Sequence, residues 1–245
     1  MISTETNTKK FFLIIFLIIV LCTSVIIFYS MDKPGKIVLM YHSVLETPYN
    51  DYIDLFIKPS EFKKQLIFLS ESNVETAFLD EYDSDNRYVY ITFDDGYEDN
   101  YFNVFPLIKI YNIKITIFLI ASEIGKSGYL NDMQIAEMAA SGLVSFQSHT
   151  VSHVDLTSLD GEQVKKELAE SKKIIENLTG EPVYAVSYPF GKFNDTVVKS
   201  ASELYSFGVT TQKPNVFTDR TNMMLIPRIG VPRMLDIGKF KNIVK

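Results

Sequence analysis

Residues 88–96 read Tyr-Val-Tyr-Ile-Thr-Phe-Asp-Asp-Gly. Six consecutive β-branched or aromatic residues fit a strand buried on both faces, closed by an Asp-Gly turn signal. The two carboxylates, Asp94 and Asp95, then stand at the strand's carboxyl end. Two negative charges beside apolar residues are costly unless a cation lies against them. The plain alternative is a polar turn. Similar runs recur on either side, at Ile37–Tyr41, Ile115–Ile120, Leu143–Phe146, Val183–Ser187, Phe207–Thr210 and Met224–Ile229. Helical patterns separate them, at Ser60–Ser70, Tyr101–Tyr111, Asp132–Ala140, Asp160–Gly180 and Asn194–Leu204. Pro106 either kinks its helix or lies in the first turn. In the longest helix Asp160 is a good N-cap with Gln163 three residues on, and Gly180 is a good terminator. Strands alternating with helices predict an α/β fold of parallel βαβ units. About seven such units fit a barrel as well as an open sheet, and in either case sites gather at the carboxyl ends of the strands.

The composition bounds the rest. The chain has 245 residues, 47% hydrophobic and 22% charged, which is globular. One cysteine, Cys22, excludes an intrachain disulfide and a cysteine-based zinc cluster. With 24 Lys+Arg against 30 Asp+Glu and no basic block, a nucleic-acid partner is not expected. The run Phe11–Tyr29 carries no charge over 19 residues. At about 1.5 Å per residue it spans a hydrocarbon core of about 30 Å. It has no small-x-small cleavage site, and Leu21 before Cys22 argues against a lipoprotein, so an uncleaved signal anchor is expected. Lys9 and Lys10 keep the preceding residues in the cytoplasm. The expected organisation is a cytoplasmic terminus (1–10), a transmembrane signal anchor (11–30), a linker (31–36) and an extracellular domain (37–245) of a single-pass cell-membrane protein. Residues 1–10 hold Glu5, Lys9 and Lys10, a net of +1, and 11–30 hold no charge. Of the chain's net −6, residues 31–245 therefore carry −7. That suits a neutral or cationic substrate better than a polyanion.

Only three histidines exist, His42, His149 and His153. His149 and His153, at i and i+4, would share one face of a helical turn, a common ligand-pair spacing. With one carboxylate they make an Asp-His-His set that leaves positions open, the pattern of a catalytic rather than a structural metal site. Two unrelated surface histidines are the alternative. A third cluster, Ser187-Tyr188-Pro189-Phe190-Gly191, follows a strand and can aim a backbone N–H at a developing oxyanion. Alone it is a generic turn.

Together, in this order and spacing, Thr92–Gly96, His149-x3-His153 and Tyr188–Gly191 resemble the motifs of the polysaccharide deacetylase family, the NodB-homology domain of carbohydrate esterase family 4. The resemblance covers roughly residues 36–235. It implies a distorted (β/α) barrel of about seven parallel strands, here preceded by the transmembrane helix. It also implies metal-dependent removal of acetyl groups from glycans. Carried over, Asp95, His149 and His153 would hold a divalent metal. Zinc is expected first, and cobalt, nickel or iron also suits imidazole and carboxylate ligands. Asp94 would be the general base, and the Phe190 N–H would help bind the oxyanion.

Two positions depart from the family. Ser187 stands where an arginine is usual, and Leu225-Ile226-Pro227-Arg228 replaces a Leu-x-His that supplies the acid. No histidine follows His153, which leaves His42 as the candidate general acid and Arg228 as the candidate orienter of Asp94. An early acid histidine resembles the branch that deacetylates poly-β-1,6-N-acetylglucosamine in biofilm matrices. Without tryptophan, Tyr97, Tyr101 and Tyr188 are the nearest aromatic candidates to stack on sugars. The expected function is hydrolytic de-N-acetylation of an extracellular N-acetylhexosamine polysaccharide, with that polymer, the membrane and polysaccharide synthase machinery as partners. The alternatives are a peptidoglycan, chitin or xylan deacetylase, or an inactive glycan-binding scaffold.

Overall fold

The computed structural model describes residues 36–49, 51–72, 74–83, 86, 88–212, 217–218 and 221–244. Residues 1–10, the expected anchor at 11–30, and all of the 31–36 linker except Lys36 lie outside them. Among the described residues, no helix is long and apolar enough to cross a membrane.

The chain forms a nearly closed parallel α/β barrel. Its strands are β1 (Ile37–Tyr41), β2 (Ser43–Val44), β3 (Phe56–Ile57), β4 (Glu75–Thr76), β5 (Tyr88–Phe93), β6 (Ile115–Leu119), β7 (Val144–Ser148), β8 (Ala185–Ser187), β9 (Phe207–Thr210), β10 (Ile226–Pro227) and β11 (Ile229–Gly230). The sheet runs β10-β9-β8-β7-β6-β5-β1-β11, with β4 attached to β5 and with β2 and β3 paired apart. Every strand pair is parallel. Successive side chains on a strand point to opposite faces. From β5, Val89, Ile91 and Phe93 pack with Leu66 and Ile108 of the surrounding helices. Tyr90 packs in a second cluster with Phe118, Val209 and Ile226.

Met224–Ile229, expected as one strand, is two pieces on opposite edges of the sheet. Ile226–Pro227 pairs with β9 and Ile229–Gly230 pairs with β1. The backbone changes partner around Arg228, whose N–H donates to Thr210 O, while Val231 N–H donates to Met40 O. Residue 228 is thus the seam of the barrel.

Other boundaries moved for local reasons. Pro106 lies in the first turn of helix Phe105–Tyr111, where its missing N–H costs nothing, and a π-helical turn, Asn100–Val104, occupies the expected start. Strand β7 runs on to Ser148, and its Gln147 side chain accepts the N–H groups of Tyr184 and Ala185. Helix Gly161–Thr179 has the expected Asp160–Gln163 capping box and a left-handed Gly180. Helix Ile237–Val244 was not foreseen.

Gly208 in β9 allows a close crossing. A Cβ there would lie 2.4 Å from Met224 O and 2.6 Å from the Tyr188 hydroxyl, which itself donates to Met224 O at 3.0 Å. Gly208→Ala should cost about 1–3 kcal/mol through overpacking, read as a lower urea midpoint with an unchanged slope.

Candidate active site

The carboxyl ends of the strands enclose a cleft of about 540 Å³ lined by His42, Asp94, Asp95, His149, His153, Phe190 and Arg228. The structure therefore brings together all seven catalytic and metal-ligating candidates read from the sequence.

Asp94 follows β5 and is 3% exposed. Its N–H donates to Tyr41 O, which ties the strand end to β1. The Arg228 guanidinium grips it as a fork, with Nη1 donating to Oδ1 and Nη2 to Oδ2, both at 2.7 Å. The same guanidinium donates to Thr92 Oγ1 at 3.1 Å and to Ser187 Oγ at 2.9 Å. Position 187, where an arginine was expected from the resemblance, is thus a small hydroxyl beside an arginine arriving from the seam. Burial alone would raise the Asp94 carboxyl, but the charge of Arg228, then His149 and the fork's hydrogen bonds, hold it well below the usual carboxylate range.

Asp95 turns away from Asp94 through a left-handed backbone (φ 72°), followed by Gly96 (φ 75°). A side chain at 96 would strike Leu119 of β6, with its Cβ 2.5 Å from Leu119 Cδ2. The turn needs glycine there twice over, for conformation and for space.

His149 and His153 are not on a helical turn. They lie in a loop after β7 that curls through left-handed residues at Thr150 (φ 66°) and His153 (φ 54°). Glu167, from helix Gly161–Thr179, holds the loop by accepting Val151 N–H at 2.9 Å, Ser152 N–H at 3.0 Å and Ser152 Oγ–H at 2.6 Å. Both imidazole Nε2 atoms face Asp95 Oδ1, at 3.5 and 3.8 Å. His149 Nδ1 is 2.8 Å from Ser187 O. A proton on Nδ1 satisfies that carbonyl and leaves Nε2 as the lone-pair atom facing the cleft. Burial, then the neighbouring His149, keep the His153 imidazole below its ordinary value, which favours the neutral form that binds cations.

One carboxylate oxygen and two imidazole nitrogens thus converge within 4.8 Å of one another. Two nitrogens and one oxygen, with room left over, fit a divalent cation of the zinc, cobalt, nickel or iron kind.

Phe190 has a left-handed backbone (φ 59°), and its ring, 61% exposed, lies 4.7 Å from that of His153. Gly191 follows at φ 67°, and a Cβ there would meet Thr211 Oγ1 at 2.1 Å. Of the five non-glycine residues with positive φ among the described residues, four belong to these three loops. Such strain persists where the surroundings over-determine it, commonly at functional sites. His42 follows β1 at the same mouth. Burial lowers its imidazole below the usual value, opposed by the charges of Asp94 and Asp95.

The aromatic candidates divide. Tyr97 lines the cleft, with its ring 5.4 Å from Tyr129 and 6.3 Å from Tyr49. Tyr188 also borders the cleft, but it is only 1% exposed and its hydroxyl is engaged by Met224 O, so it presents no ring face to a sugar. Tyr101 bonds Glu137 and is not among the cleft residues. The sequence reading missed Tyr52, 73% exposed at the cleft. It also missed Glu167, which in sequence looks like any solvated helix position.

A family model described as polysaccharide deacetylase matches residues 81–206. The Bacillus subtilis protein YxkH is 33% identical over 210 residues, covering 82% of this chain and 73% of its own. A poly-β-1,6-N-acetyl-D-glucosamine N-deacetylase of Staphylococcus epidermidis is 30% identical over 232 residues, covering 82% and 80%. Among solved structures, a polysaccharide deacetylase from Bacillus cereus superposes with a TM-score of 0.79 at 27% identity, covering 86% of this chain and 69% of that one.

Proposed function

Because the chain belongs to the polysaccharide deacetylase family, we propose that it is a metal-dependent de-N-acetylase of an extracellular N-acetylhexosamine polymer, with poly-N-acetylglucosamine of a biofilm matrix as the leading substrate. One observation carries the reading: Asp94, buried and forked by Arg228, stands beside an Asp-His-His donor set, with His42 lining the same cleft. Similarity to the staphylococcal poly-N-acetylglucosamine deacetylase supports the choice of polymer. The uncharged run 11–29 supports anchoring at the cell membrane, with the barrel outside and within reach of synthase machinery.

In this reading each residue takes a part that suits its position. Asp95, His149 and His153 would hold the cation. When bound, that cation polarises the acetyl carbonyl and acidifies water, which matters because a carboxylate held as low as Asp94 is a weak base. Asp94 accepts the proton of the attacking water, and Arg228 and Ser187 fix its two oxygens. The Phe190 N–H, set by its left-handed backbone, donates to the oxyanion as the carbonyl becomes tetrahedral. His42 donates a proton to the departing nitrogen, without which an amide does not cleave at neutral pH. Tyr52 and Phe190 offer exposed ring faces to neighbouring sugars.

Acetate release from N-acetylglucosamine oligomers tests the reading. Release should stop with a chelator and return with added zinc or cobalt. A folded, metal-binding sample that releases no acetate in either condition would instead favour the inactive scaffold.

A further inference from the structure

The turn after Gly96 carries three polar side chains for which the chemistry above has no use. They lie in and beside the π-helical turn Asn100–Val104, a rare element that gathers at functional sites. All three reach the same short stretch, residues 42–44. Asp99 Oδ2 accepts from Ser43 Oγ and its Oδ1 from Val44 N–H, both at 2.7 Å. Asn100 Nδ2 donates to His42 O and to Asp99 Oδ1, each at 3.1 Å. Asn103 Nδ2 donates to Val44 O at 2.8 Å.

That stretch has little structure of its own. Strand β1 ends at Tyr41, and β2 pairs only two residues with β3. The main chain around His42 is therefore held largely by side chains 55–59 positions away in sequence. Asn100 is fully buried, and its Oδ1 has no hydrogen-bond partner among the described residues. An orphaned amide oxygen costs about 1–3 kcal/mol, so this asparagine is a poor choice for stability alone. What it does supply is a donor on the carbonyl of His42.

We propose that Asp99 and Asn100 are positioning residues that fix His42 in the cleft so that its ring meets the departing nitrogen. The inference rests on the reading of His42 as the acid. Losing the clamp would shift the ring without removing it, and small misplacements of a reacting group are expensive.

The test compares two acyl substrates in Asn100→Leu, which keeps the buried volume and removes the donor. An N-acetylglucosamine oligomer needs its leaving nitrogen protonated, whereas 4-nitrophenyl acetate releases a stable phenolate unaided. The ratio of oligomer to aryl-acetate turnover should fall about 10- to 100-fold, with KM for the oligomer little changed. The ratio should fall likewise in His42→Ala. Ser43→Ala, which deletes a single bond to Asp99, should shift it the same way by less, and it carries the test if Asn100→Leu does not fold. A purely structural clamp would lower both rates together and leave the ratio unchanged. An unchanged ratio in the clamp variants beside a lowered one in His42→Ala overturns the clamp alone. An unchanged ratio in His42→Ala overturns the acid, and the clamp with it.

Discussion

Asp94→Asn should lower acetate release by about 10²–10⁴-fold while the protein still binds its metal. Asparagine cannot take a proton, and Asp94 is not one of the three converging donor groups. His149 Nε2 is 4.0 Å from Asp94 but 3.5 Å from Asp95. Turnover and metal content measured on one sample decide the matter, and retention of more than a tenth of the activity would remove Asp94 as the base. The native carboxyl, held below the ordinary 3.8 by Arg228 against the effect of burial, stays charged across the neutral range. Its contribution to stability is complete above the ordinary value and is lost only as the pH falls through the native one. Deprotonation of Asp94 should therefore not appear as the acid limb of a pH–rate profile near neutrality.

Arg228→Met should have the larger effect on stability. It leaves a carboxylate 3% exposed with no cation in its fork. Breaking a buried pair from one side costs about 3–5 kcal/mol. At about 2–4 °C per kcal/mol for a domain of this size, the melting temperature should drop by about 6–20 °C. The double variant Asp94→Asn/Arg228→Met should recover much of that loss, because it removes the stranded charge. A single variant as stable as the parent would mean that the fork holds nothing. Arg228→Lys should not substitute for it, since an ammonium cannot span both oxygens, Thr92 and Ser187 at once.

The strand–turn at Tyr88–Gly96 was legible because a short, unbroken apolar run with two acids behind it leaves few alternatives. The convergence of the i, i+4 histidines was legible in the sequence, though not for the reason spacing offers. They converge through a curled loop with two left-handed residues and a glutamate on a distant helix, and Glu167 in isolation resembles its solvated neighbours. Tyr188 misled because a tyrosine near a motif suits a core as readily as a sugar. The split of Met224–Ile229 was beyond local reading. Nothing in six residues tells which half finds β9 and which finds β1, since that depends on the whole circuit of strands. The polar turn at Asp99–Asn103 straddles the start of the helical pattern expected from Tyr101, and hydrophobic period says nothing about where an asparagine points.

The position of Arg228 at the seam ties the charge balance of the cleft to the order in which the polypeptide emerges. Asp94 and Arg228 are 134 residues apart in sequence, and a contact spanning that distance forms late. While residues 226–230 are still being synthesised, Asp94 lacks the guanidinium that grips it and the cylinder is open along one side. A half-made molecule therefore holds a carboxylate without its guanidinium in an unfinished pocket, and the last stave brings closure and counter-charge together.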